Sequence, residues 1–235
     1  MLARAPGGEN WIETLARRGY RFIGPVTTLQ DRTARDTASS SPRSNLPELL
    51  TSFVGRAREL AQIQKLLSSN RLVTLIGAGG VGKTRLALRV ATQVLDANAA
   101  GVWLVELANL RDPWLVPQTL ATVLGLKEQP GKSLTQTLTE YLQARSLLLV
   151  LDNAEHLLPA CAQLVETVLR QCPQVVLLVT SRERLGVAGE LTYRVPSLST
   201  PEPKRDNTAE SLARYESVQL FSERAQLLAP QFAVT

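Results

Sequence analysis

Histidine and cysteine are nearly missing from this chain of 235 residues, which holds one histidine, His156, and two cysteines, Cys161 and Cys172. With no second histidine or cysteine at ligand spacing, His156 does not make a zinc centre. The cysteines form no C-x-x-C pair, and reduced, packed thiols are expected in place of a disulfide framework. No apolar run approaches the ~20 residues of a membrane span. Residues 1–8 lack the long apolar core of a secretion signal. A cytoplasmic protein with no membrane partner is expected. An acidic excess is lacking too: the net charge is +5 and the pI near 9.6. Because the basic residues are spread along the chain, that excess is weak evidence for a nucleic-acid partner. What is present, 44% hydrophobic and 20% charged residues, is the make-up of a globular protein able to bury a core.

The most specific stretch is Gly77-Ala78-Gly79-Gly80-Val81-Gly82-Lys83-Thr84, which fits the phosphate-loop pattern G-x-x-x-x-G-K-[ST] at every fixed position. Residues 71–76 before it are apolar and β-branched, as in a buried parallel strand. Residues 85–95 after it place Leu86, Val90 and Val94 on one helical face, with Arg85, Arg89 and Gln93 on the other. Glycines let the backbone wrap a phosphate and aim N–H groups inward, and the helix start adds its free donors and positive dipole end. Gly77, Gly79, Gly80, Val81, Gly82, Lys83, Thr84 and Arg85 are therefore candidate contacts to ATP or ADP. Lys83 is expected at the β- and γ-phosphates and the Thr84 hydroxyl at Mg²⁺.

Further buried strands are expected over residues 102–107, 147–152, 174–182 and 191–195, and helices over 113–124, 133–145 and 216–228. The run Leu147-Leu148-Leu149-Val150-Leu151-Asp152 ends in an acid that emerges where α/β sheets bind ligands. It matches the Walker B pattern, in which Asp152 supports the Mg²⁺ shell. Position 153 carries asparagine, which cannot accept a proton at neutral pH. Glu155 is either the substitute base or a cap on the next helix. Slow or partner-dependent hydrolysis follows.

Residues 11–15 and 19–23 are two β-prone runs around Ala16-Arg17-Arg18, read as a hairpin with an arginine-rich turn. The segment W-I-E-T-L-A-R-R-G-Y-R-F resembles the closing wing of an OmpR/PhoB-type winged helix-turn-helix DNA-binding domain. That resemblance makes Arg17, Arg18 and Arg21 candidate DNA contacts. Only ten residues precede Trp11, so the three helices of such a domain are expected to be absent and DNA binding by this chain alone to be weak. Residues 27–50, with Thr37-Ala38-Ser39-Ser40-Ser41-Pro42-Arg43, read as a flexible linker.

Phe53-Val54-Gly55-Arg56-Ala57-Arg58-Glu59-Leu60 opens a helix with Leu60, Ile63 and Leu67 on one face. Some twenty residues before a phosphate loop, it resembles the F-V-G-R-x-x-E segment of STAND-class P-loop NTPases. The resemblance implies that Val54, Gly55 and Arg56 lie against adenine and ribose. Val179-Thr180-Ser181-Arg182 resembles the sensor strand of that class, implying that Arg182 approaches the γ-phosphate. Residues 216–228 resemble a helix of its small ARC-type domain, which in relatives continues into a G-L-P-L segment not found before Thr235. The chain is expected to be truncated at both ends.

Taken in order, these motifs resemble the NB-ARC-like module of bacterial regulators that join a winged helix to a STAND NTPase. The implied fold is α/β, a P-loop NTPase with a five-stranded parallel sheet between helices. A β-hairpin remnant precedes it and the start of a helical domain follows. The implied domains are a wing remnant (1–26), the linker (27–50), the NTPase (51–198) and a loop with the start of the ARC-type subdomain (199–235). The implied function is an ATP/ADP switch: ADP holds a closed state, and ATP opens a state that self-associates or activates DNA binding. Its catalytic candidates are Lys83, Asp152, Glu155 and Arg182, and its Mg²⁺ candidates Thr84 and Asp152. Two alternatives stay open, a small-molecule or nucleotide kinase sharing the loop, and a non-functional fragment of a regulator.

Overall fold

Successive residues of a buried strand face opposite sides of its sheet, and here each side carries its own apolar core. The computed structural model describes residues 12–15, 19–22, 43–202 and 208–234. The chain divides into two compact units, 1–40 and 41–235. The first is described through an antiparallel ribbon of β1 (Ile12–Leu15) and β2 (Gly19–Phe22), with Ile12 opposite Phe22. These strands fall within the two runs expected to form a hairpin. Arg17 and Arg18 lie outside the described residues, and Arg21 is placed by its backbone in β2.

The second unit runs α1 (Ala57–Ser69), β3 (Leu72–Ile76), α2 (Lys83–Gln93), β4 (Val102–Glu106), α3 (Leu115–Val123), α4 (Leu134–Leu142), β5 (Leu147–Asp152), α5 (Leu158–Gln171), β6 (Val175–Ser181), β7 (Leu191–Arg194), α6 (Ala209–Leu212) and α7 (Glu216–Leu228). Its sheet has the order β4-β5-β6-β3-β7, with every neighbouring pair parallel. This is the α/β architecture with the five-stranded parallel sheet that the sequence predicts. On one side Val73, Leu75, Leu148, Val150 and Leu178 pack with Ile63 of α1 and Leu86 and Val90 of α2. On the other, Leu147, Leu149, Leu151, Leu177 and Val179 pack with α3, α4 and α5 through residues such as Leu120, Leu138 and Val165.

Burial on both faces explains why β5 reads as an unbroken apolar run, and why its terminal acid marks the sheet's edge. Register then gathers the polar ends. Leu75 stands beside Thr180 and Leu151 beside Val179, so Asp152 and Thr180 share one level at the strand ends, and the loop begins at Gly77, two residues beyond it.

The expected linker is attached to the sheet from Arg43 onward. Ser44 pairs in parallel with Val102, and the Val102 N–H donates to Arg43 O at 2.9 Å. The Asn45 side chain continues the ladder, donating to Leu104 O at 2.8 Å and accepting the Leu104 N–H at 2.7 Å. Gly101 makes this close approach possible. A Cβ there would stand 1.9 Å from Arg43 O.

Helix α7 has no buried residue, and Phe221 packs edge-to-face on Phe232 with centroids 5.6 Å apart. Cys161 and Cys172 are buried free thiols. Among the described residues no helix is long and apolar enough to cross a membrane.

Candidate functional site

Gly80 and Gly82 give the loop its curvature. Gly80 has φ 78° with open space where a Cβ would go, so conformation and not room requires glycine there. Gly82, at φ 91°, is the N-cap of α2 and supplies no side-chain cap to the first turn. The N–H groups of that turn are left for an anion. Lys83 is 7% exposed, and its ammonium donates to Gly77 O at 3.0 Å and Ala78 O at 3.1 Å. Its charge is thereby folded over the loop.

The Thr84 hydroxyl donates to Asp152 Oδ1 at 2.8 Å, joining the loop's last residue to the acid of β5 across 68 residues. Thr180, fully buried on β6, donates to the same oxygen at 2.5 Å and accepts the Asn153 N–H at 3.0 Å. One hydroxyl thus orients the acid and fixes the turn after it. A hydroxyl and a carboxylate at hydrogen-bond distance are the hard oxygen donors that Mg²⁺ takes, so Thr84 and Asp152 fit such an ion.

Arg182 Nε lies 3.2 Å from Glu155 Oε1, and Arg182 Nη2 is 3.7 Å from the point where a Gly79 Cβ would sit. The guanidinium therefore lies between the loop and Glu155. Glu155 belongs to a single 3-10 turn, Ala154–His156, and its Oε2 is buried without a partner. Oε1 is held by Arg182 in this arrangement, a contact that Glu155 would give up on acting as a free base.

A cavity of about 580 Å³ opens beside the loop. Gly79 to Gly82 and Arg85 line one wall, Val54 and Arg56 a second, and Leu198, Ser217 and Leu220 a third. Gly55 is not among its lining residues and supports the wall from behind. Arg56, left-handed at φ 60°, donates from its guanidinium to Val81 O at 2.7 Å and Pro196 O at 3.1 Å. Arg85, on the cavity wall, donates its guanidinium to Thr51 Oγ1, Thr51 O and Ser52 O.

The structure thus brings together the loop, Lys83, Thr84, Asp152, Glu155, Arg182, Val54 and Arg56. Sequence reasoning misses Thr180, the α7 contacts Ser217 and Leu220, and Glu216, which accepts the Arg56 N–H at 2.8 Å. Thr180 carries a readable signal, a polar residue ending an otherwise apolar strand. The α7 residues carry none, because they reach the site from 160 residues away in the case of Glu216 and Arg56.

The chain is 42% identical over 185 residues to uncharacterized protein Rv0894 of Mycobacterium tuberculosis, covering 79% of this chain and 44% of that protein. It is 43% identical over 172 residues to a protein of the same organism provisionally named HTH-type transcriptional regulator Rv0890c, covering 73% of this chain and 18% of the regulator. The chain thus spans less than half the length of these relatives. Among solved structures, Cdc6p from Pyrobaculum aerophilum superposes with a TM-score of 0.53 at 18% identity, covering 81% of this chain and 52% of that one. The fold is therefore shared with it. The family described as AAA domain matches residues 37–187, a span that holds the loop, Asp152, Glu155 and Arg182, and the chain belongs to that family of P-loop ATPase modules.

Proposed function

We propose that the chain is the nucleotide-dependent switch module of a transcriptional regulator, with slow ATP hydrolysis. The observation that carries this reading is the Thr84–Asp152 bond directly after a glycine loop that, with Val54 and Arg56, walls a cavity. In it, Gly77, Gly79, Gly80, Val81 and Gly82 wrap the phosphates, Lys83 leaves its two carbonyls for the β- and γ-phosphates, and Val54, Gly55 and Arg56 form the purine side. Thr84 and Asp152 would hold Mg²⁺, which supplies charge neutralisation on the phosphate oxygens.

Switching requires a ligand with different affinity for two states. Arg182 can meet that need, because it cannot hold Glu155 and a γ-phosphate with the same donors. ATP draws it away from Glu155, and ADP leaves the pair closed. The Asn153 amide in place of an acid keeps turnover slow, as suits a switch more than a metabolic enzyme.

The regulator assignment draws on the resemblance to STAND-class, NB-ARC-like modules and on the name of the mycobacterial relative. On this reading the hairpin with Arg17, Arg18 and Arg21 is the wing of an OmpR/PhoB-type domain. DNA is bound through that winged helix, the 199–235 segment belongs to an ARC-type subdomain, and ATP promotes self-association. Lys83→Ala tests the site. It is expected to weaken ADP and Mg·ATP binding by about a hundredfold in calorimetry, with an unchanged circular-dichroism spectrum. Unchanged affinity would overturn the nucleotide reading.

A further inference from the structure

Glu216 opens α7 and lies outside residues 37–187, the span of the family match. Its carboxylate nonetheless holds the cavity's second wall from behind. Oε1 accepts the Arg56 N–H at 2.8 Å and Oε2 the Ser199 N–H at 3.4 Å. Ser199 replies in kind: its Oγ accepts the Glu216 N–H at 3.0 Å and its carbonyl the Ser217 N–H at 3.1 Å.

Two features of the backbone fit this contact. Gly55 has φ 67°, and a Cβ there would stand 2.2 Å from Glu216 Oε1, so the missing side chain is what admits the carboxylate. Arg56 is also left-handed, at φ 60°, a conformation that costs a non-glycine residue energy and persists only where its surroundings hold it. A charge-assisted bond on its amide is such a hold.

The far end of Arg56 reaches the phosphate loop through Val81 O, and the side chain is almost wholly buried. One residue therefore meets α7 with its backbone and the loop with its guanidinium. A second tie runs parallel. Arg224, two turns along α7, donates to Ser52 O at 3.2 Å, and the same carbonyl accepts Arg85 Nη2 of α2 at 2.7 Å.

We infer that Glu216 is a positioning residue for the nucleotide cavity, acting through Arg56, and that nucleotide binding and the seating of α7 are coupled through it. A ligand that fixes Val81 selects the Arg56 geometry that Glu216 also selects, and each event favours the other by the same factor. The inference rests on the nucleotide reading above and adds to it a residue and a direction of coupling.

The test compares the wild-type chain, Glu216→Ala and Glu216→Gln by titration with a fluorescent ADP analogue. Hydrogen exchange is then followed with and without ADP. Alanine is expected to weaken ADP binding about tenfold and to speed exchange of the Arg56 amide even without nucleotide. ADP should slow exchange along α7 in the wild type and not in Glu216→Ala. Glutamine keeps an acceptor for the Arg56 N–H and should stay within about threefold of wild type, which a loss of fold would not allow. If the wild type binds ADP and Glu216→Ala matches it, or if α7 responds equally in both, the coupling is overturned and the nucleotide reading stands. If the wild type binds no ADP, both fall.

Discussion

Asn153 follows the buried acid of β5 in the left-handed region, at φ 61°, where asparagine and aspartate are better tolerated than most residues. Its backbone N–H is held by Thr180, so a change to aspartate leaves that anchor in place. Asn153→Asp is expected to fold as wild type and to raise ATP hydrolysis about tenfold, short of the ~10²–10⁴ range of general-base effects. Phosphate release measures it. An unchanged rate would point to Glu155 as the base, freed when Arg182 leaves its side. At this scale the sequence is legible where chemistry is local. A phosphate loop needs eight consecutive residues, and a Walker B acid needs only the apolar run before it. Thr180 and Glu216 act across 28 and 160 residues, and no periodicity carries that information.

Among the elements, the strands are readable because burial on both faces leaves only apolar residues between their ends. Strand β6 is expected over 174–182 and found at Val175–Ser181. Helix α4 begins where Ser133 and Gln136 form a reciprocal capping box, which fixes its start. The four-residue α6, capped by Thr208, is too short for a 3.6-residue period to register. The strap over Arg43, Ser44 and Asn45 is also silent in the sequence, being a contact with an edge strand some 59 residues on, made by the Arg43 main chain and the Asn45 side chain. It yields a prediction all the same. Gly101 has φ 92° and backbone in the path of any Cβ, so Gly101→Ala is expected to destabilise the second unit by about 1–3 kcal/mol. Denaturant unfolding would read that cost, and trypsin should cut faster after Arg43 as the strap lifts. An unchanged midpoint and cutting rate would show that the strap contributes nothing.

At the scale of the whole molecule, the sheet separates two cores among the described residues, and the buried thiols belong to the core under α3, α4 and α5. Burial pushes the Cys161 thiol from 9.0 up to about 11. Burial also raises Cys172, with the Arg71 guanidinium opposing. A folded-state value above the unfolded one means that the folded chain binds the proton longer. The resulting stabilisation is complete below pH 9 and is lost as pH climbs towards 11. The stability difference between wild type and Cys161→Ala, measured by denaturant unfolding, should therefore narrow across that interval. A constant gap would place the thiol elsewhere than in a dry core. The Arg71 guanidinium, which donates to Leu169 O, Cys172 O and Val175 O, ties the end of α5 to the start of β6 and keeps that core closed at its rim.

The strap has a mechanical consequence as well. Any tension carried by the chain ahead of Arg43 arrives first at β4, the outermost strand, with β5 and β6 standing between it and the loop-bearing β3. A tug from that side would have to lift the Arg43–Asn45 rungs off β4 before it reached Ser52, Val54 and Arg56 in the cavity wall, so the strap is a strain relief ahead of the cavity.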